Sequence, residues 1–136
     1  ITDPGRENEA RIRLARIGFD HVIGALHDID RVLVDHPELA EQAPRVTASE
    51  VEQRRLAEPD LQIVDVRNPG EVEAGAIDGA INLPLPQLLD RMNDLDPSRP
   101  TIVYCAGGYR SATAASLLRS HGFATVADIP EPATTR

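Results

Sequence analysis

Two short runs, "LQIVDVR" and "TIVY", constrain the fold of this chain more than any other feature. Both are apolar and rich in β-branched residues. Neither shows the apolar–polar alternation of a strand with one face in water, so each reads as a strand covered on both faces. The sequence between and around them carries helix and turn signals rather than a two-residue hairpin. Strands connected in this way run parallel, and their crossovers cover the sheet. The expected fold class is therefore α/β, a small parallel β-sheet with helices on both faces.

The other segments fit this plan. Thr47 and Glu50 stand at capping-box spacing and predict a helix to about Leu56, stopped by Pro59. "LQIVDVR" is a strand to about Val66, "NPG" (Asn68 to Gly70) turns the chain, and "EVEAG" makes a single helical turn. "AINLP" is a second short strand ended by Pro84. "PQLLDRMNDL" spaces Leu and Met as a helix does, with Pro86 at its start. "TIVY" is the third strand. A helix follows from Ser111 to Ser120, closed by Gly122, and "TVADI" is a last short strand.

Residues 1–45 read differently. "ENEARIRLARIGF" predicts an amphipathic helix with Ile12, Leu14, Ile17 and Phe19 among arginines, and "HDIDRVLVDHPELAEQAPR" a helix followed by linker. Offset by 104 residues, Arg6, Ala10, Leu14, Gly18, Phe19 and Val22 match Arg110, Ala114, Leu118, Gly122, Phe123 and Val126. A degenerate earlier copy, with Asp3 near the place of the cysteine, and a chance likeness among common residues both explain this echo. The first residue is Ile1 rather than Met, which fits a processed chain or a piece of a longer one, and the organisation favours the latter.

At 136 residues the chain has about one domain's worth of sequence, with 41% hydrophobic and 26% charged residues. The net charge is -8 and all 14 basic residues are Arg, so neither nucleic acid nor an anionic membrane is an expected partner. The Arg-for-Lys bias with many Ala and Pro fits a GC-rich bacterial genome. No apolar run approaches membrane-spanning length and no signal peptide is visible. A single cysteine cannot form an internal disulfide, which fits a reducing cytoplasm and leaves no resolving thiol within the chain.

That cysteine, Cys105, stands at the carboxyl end of "TIVY", where ligands collect in parallel sheets. The following "AGGYR" bends back before Ser111 opens the helix. Paired Gly107 and Gly108 allow the backbone to turn its N–H groups inward as an anion-holding nest, and the helix N-terminus adds positive potential. Both favour the thiolate and lower the thiol pKa. Arg110 supplies a permanent charge suited to an oxyanion. Cys105 and Arg110 are separated by four residues, whereas cysteine phosphatases and related arsenate reductases use a wider Cys-x5-Arg cradle. The shorter loop is sized for one extra sulfur on the cysteine. A buried structural thiol is the competing reading, as a solvated face is for His27 and His36. His21, His27, His36 and His121 show no paired ligand spacing, and neither metal nor other cofactor is expected.

Two blocks, "DVRNPGEVEAGAIDGAINLP" and "VYCAGGYRSATAASLLRSHGF", resemble the rhodanese family, and the likeness runs from about Val46 to Ile129. The first resembles its Asp-x-Arg strand end, a following glutamate and a Gly-x-Ile-x-Gly-Ala-x-Asn-Leu-Pro run. The second resembles its active-site loop and helix. The resemblance implies a rhodanese-like domain over 46–136 in which Cys105 carries sulfane sulfur as a persulfide. Ala106, Gly107, Gly108, Tyr109, Arg110 and Ser111 would line the sulfur site, and Asp65, Arg67 and Glu71 would support the loop. Val72 and Ala76 stand where members often carry an aromatic residue and a histidine, and "ADIPEPATTR" lacks the usual glycine-rich closing segment with a late Trp. "ITDPGRENEARIRLARIGFDHVIGAL" resembles the connector after the metallo-β-lactamase-like domain of fusion proteins with C-terminal rhodanese modules, some of them persulfide dioxygenases. This implies such a domain as a partner in a parent polypeptide. Its iron or zinc chemistry is not expected of this sequence.

The expected activity is a sulfurtransferase drawing on thiosulfate or a low-molecular-weight persulfide such as glutathione persulfide, with a thiol or cyanide as acceptor. A non-catalytic interaction or regulatory module of a larger enzyme is the alternative, and a cysteine phosphatase or arsenate reductase is disfavoured by the short loop.

Overall fold

The computed structural model describes residues 2–40 and 43–130, so the closing "EPATTR" lies outside the described residues. The chain divides into two compact units, residues 1–42 and residues 43–136.

The first unit holds α1 (Glu7–Ala15), α2 (Ile29–Asp35) and a 3-10 turn at Pro37–Leu39. Helix α1 buries none of its residues and ends at Ala15, so the expected amphipathic helix is shorter: Ile17 and Phe19 lie beyond it, and its Ile12 and Leu14 are exposed. Gly18, with φ +89°, ends the turn that follows it.

The second unit is the expected α/β fold. It runs α3 (Ala48–Ala57), β1 (Gln62–Asp65), α4 (Pro69–Val72), β2 (Ile81–Asn82), β3 (Thr101–Tyr104), α5 (Tyr109–Ser120) and β4 (Val126–Asp128). The four strands form one sheet in the order β2-β1-β3-β4, and every pair is parallel. Residues 44–46 join its β4 edge: Asp128 N donates to Pro44 O and Val46 N to Asp128 O. The capping box expected at Thr47 opens α3, with Glu50 N bonded to Thr47 Oγ1 and Thr47 N to Glu50 Oε2.

Strand side chains alternate between the two faces. Val64, Val66, Val103 and Cys105 join Ala114, Ala115 and Leu118 of α5 in one core. Ile63, Ile102 and Tyr104 join Val51 of α3 in the other. Cys105 thus faces the helix that follows it because it lies two residues beyond Val103.

Two expectations need correction. "PQLLDRMNDL" forms no α-helix: 3-10 turns at Leu85–Gln87 and Met92–Asp94 flank an irregular turn. Pro84 and Pro86 remove donors at its start, and Asp90, Asn93 and Asp94 are poor helix formers, so i→i−3 bonds such as Leu95 N to Met92 O prevail. Leu88 and Leu95 are buried all the same. Helix α5 begins at Tyr109 rather than Ser111, because Gly108 completes the reversal by itself at φ +77°. No helix among the described residues is long and apolar enough to cross a membrane.

Candidate active site

The strand-to-helix turn after β3 brings Cys105 under the N-terminus of α5. The cysteine is 2% exposed. Burial alone would raise its pKa. The backbone N–H of Gly107, the Ser111 hydroxyl and the N–H groups of Ser111 and Arg110 outweigh that and leave the thiol below its ordinary value. Gly107, Arg110 and Ser111, all from "AGGYR" and the start of the helix, are thus the residues whose donors lower the thiol pKa.

The two glycines have unequal duties. A Cβ on Gly107 would meet open space, whereas one on Gly108 would collide with the carbonyl oxygen of Pro130. Gly108 is where the loop rests on the chain emerging from β4. Ser111 makes the second tie there. Its fully buried hydroxyl lies 2.9 Å from Gly108 O, 3.2 Å from Ile129 O and 3.6 Å from Cys105 Sγ. A hydroxyl has one proton to give. A Cys105 thiol donates to Ser111 Oγ while the hydroxyl serves a carbonyl, and a thiolate draws that proton toward sulfur.

Arg110 is placed otherwise than as a free anion holder. Its two terminal nitrogens bind both carboxylate oxygens of Glu71, at 2.6 and 2.7 Å. This fork-on-fork pairing is directional as well as strong. The Arg110 guanidinium, with help from Asn68 N–H, lowers the Glu71 pKa from 4.5 to about 2. Glu71 in turn raises the Arg110 pKa, and Cys105 adds to that in the same direction.

Asp65 and Arg67 do not reach the cysteine. Asp65 pairs in register with Tyr104, which packs in the core opposite that of Cys105. The Arg67 guanidinium grips the Asp65 carboxylate, with its closest nitrogen at 2.6 Å, and stands 5.4 Å over the Tyr104 ring. It also donates to Gly75 O at 2.7 Å and to Glu71 O at 3.4 Å. Asp65 therefore acts at a distance, through Arg67, on the backbone that carries Glu71. Tyr109 and Ala106 lie at the mouth of the loop with exposed side chains, the tyrosine 85% so.

Several participants were not picked out from sequence. Asn82 Nδ2 joins the ends of β1 and its following loop by donating to Asp65 O and Arg67 O, both at 3.0 Å. Tyr104 Oη accepts from Ile77 N at 3.1 Å. The Glu71–Arg110 pair had a signal in "NPGE": Asn68 and Glu71 form a capping box with Pro69 at the first helical position, which directs the glutamate back along its own turn. Ile129 and Pro130 had none.

The family profile described as "Rhodanese-like domain" matches residues 47–130. The Bacillus subtilis protein YqhL is 42% identical over 71 residues, 52% of this chain and 56% of that protein. A sulfurtransferase of Allochromatium vinosum is 34% identical over 82 residues, 60% of this chain and 77% of the other. A rhodanese-related protein of Thermoplasma volcanium superimposes with a TM-score of 0.61 at 26% identity, covering 67% of this chain and 87% of that structure. The chain spans little more than half the length of YqhL.

Proposed function

The chain belongs to the rhodanese-like family, and from that membership we propose that Cys105 relays a sulfane sulfur atom from a small donor to a thiol or cyanide acceptor. The observation that carries this reading is the place of Cys105, buried between the end of β3 and the start of α5 with the Ser111 hydroxyl 3.6 Å from Sγ. There the thiol pKa is lowered against the cost of burial.

In the first step the thiolate attacks the outer sulfur of thiosulfate, or the terminal sulfur of a persulfide such as that of glutathione. An S–S bond forms at Cys105, the donor's S–S bond breaks, and sulfite or the donor thiolate departs with the electron pair. In the second step an external thiolate or cyanide attacks the terminal sulfur of the Cys105 persulfide. It leaves as a persulfide or thiocyanate and restores the Cys105 thiolate. The Gly107, Arg110 and Ser111 amides, at the N-terminus of α5, serve the negative charge in both states. Cys105 is the only cysteine in the sequence, so the acceptor comes from outside it. Arg110 is paired with Glu71, and only four residues separate it from Cys105; both features favour sulfur relay over phosphate or arsenate chemistry.

The test is intact mass after exposure to thiosulfate and to glutathione persulfide. The protein gains one sulfur atom that cyanide removes, and Cys105→Ser gains none. A wild-type protein that stays unmodified by every donor defeats the reading in favour of a non-catalytic module, as does a gain that survives Cys105→Ser. A reducing cytoplasm and a metallo-β-lactamase-fold partner in a parent polypeptide belong to this same proposal.

A further inference from the structure

The Ser111 hydroxyl is fully buried and has more neighbours than protons. Gly108 O lies 2.9 Å from Oγ, Ile129 O 3.2 Å and Cys105 Sγ 3.6 Å, all within hydrogen-bonding reach. The two carbonyls only accept, and the hydroxyl has one proton to give. Where that proton goes depends on the state of the sulfur.

A Cys105 thiol is itself a donor to Oγ, and the hydroxyl is left to a carbonyl. The inner sulfur of a Cys105 persulfide has neither a proton nor a formal charge, so the hydroxyl again serves the carbonyl. A thiolate carries a full charge and no proton. A hydrogen bond to a charged acceptor is about twice as strong as one to a neutral acceptor, and the proton then turns to Sγ. In keeping with this, the Ser111 hydroxyl is among the groups that lower the Cys105 pKa.

The two halves of the sulfur relay pass through these states in opposite directions. Loading starts from the thiolate and ends with a neutral inner sulfur, so the bond from Ser111 to Sγ is given up. Release starts from the neutral inner sulfur and ends with the thiolate, so the bond forms as charge develops. An interaction that is stronger in the transition state than before it accelerates only that step. A leaving thiolate of lower basicity also departs faster.

We propose that Ser111 is a catalytic residue of the release half-reaction, its hydroxyl turning from the Gly108 and Ile129 carbonyls to Sγ to stabilise the departing Cys105 thiolate. The bond between Sγ and the outer sulfur breaks and its electron pair stays on Sγ. The acceptor leaves with the outer sulfur as thiocyanate or a persulfide, and the hydroxyl keeps its proton throughout. This role rests on the sulfur relay proposed for Cys105.

Timing the two halves separately tests it. Loading is followed by intact mass with thiosulfate and with glutathione persulfide, at a pH where Cys105 is ionised. Release is followed after adding cyanide to the loaded, desalted protein. Ser111→Ala is expected to slow release by about tenfold and to leave loading nearly unchanged, so that the persulfide accumulates during turnover. Gly108→Ala loosens the same loop with the hydroxyl in place, and is expected to change both halves by similar factors. Equal slowing of both halves by Ser111→Ala overturns the proposal and leaves the serine as a structural tie, and unchanged release overturns it too. So does a release defect in Gly108→Ala as selective as that of Ser111→Ala. In each of these outcomes the wild type still gains its sulfur atom. A wild type that gains none from either donor defeats the relay itself, and the role of Ser111 with it.

Discussion

At Gly108 the absence of one carbon decides whether the loop after Cys105 closes. Its positive φ and its contact with the Pro130 carbonyl leave no room for Cβ, while the adjacent Gly107 has space around it. Gly108→Ala is expected to cost at least about 1–3 kcal/mol, lowering the melting temperature by several degrees and loosening the donors around Sγ. Gly107→Ala is expected to melt within a degree or two of the wild type, since its N–H is retained. Equal losses from the two substitutions in thermal unfolding would refute this division of labour. The glycine pair was legible from sequence, but the inequality within it was not, because the partner that creates it arrives from the far side of β4.

Helix α4 is four residues long and α5 twelve, and the Glu71–Arg110 pair is what joins them. The pKa of Glu71 is depressed in the fold, so the stability it contributes is present above the unfolded value of about 4.5. It is lost as pH falls through the folded value of about 2. The melting temperature of the wild type should therefore fall across that window, and Glu71→Gln should be less stable at neutral pH with a shallower acid slope. Parallel acid slopes for the two proteins would remove the pair from the account of the loop. The sequence placed a helical turn at "EVEAG" and a helix from Ser111, whereas α4 spans Pro69–Val72 and α5 begins at Tyr109; the family motif located both residues. That the guanidinium spends its fork on Glu71 depends on the approach of two elements 39 residues apart in the chain.

For the second unit as a whole, acid acts in two directions. Asp128 is 1% exposed, neither carboxylate oxygen has a hydrogen bond, and Arg45 Nε stands 3.9 Å away. Burial raises its pKa, only partly countered by Arg45, so the charged form costs stability above the folded pKa. That cost fades as pH falls through the raised value toward 3.8. Asp128→Asn is expected to stabilise the unit by roughly 1 kcal/mol at neutral pH, with no gain in acid, as read by thermal melts across pH. A neutral-pH melting temperature at or below that of the wild type would contradict it. Local pattern alone determined the parallel sheet, the capping box of α3 and the placing of Cys105 at a strand end, because side-chain alternation and capping act over a few residues of chain. The tertiary structure decided which donors meet the sulfur, which carboxylate holds Arg110, and that Leu14 and Phe19 stay in solvent while Leu118 and Phe123 do not. Burial and ion pairing depend on neighbours distant in sequence, and a short motif takes its energy from whatever the rest of the fold brings against it.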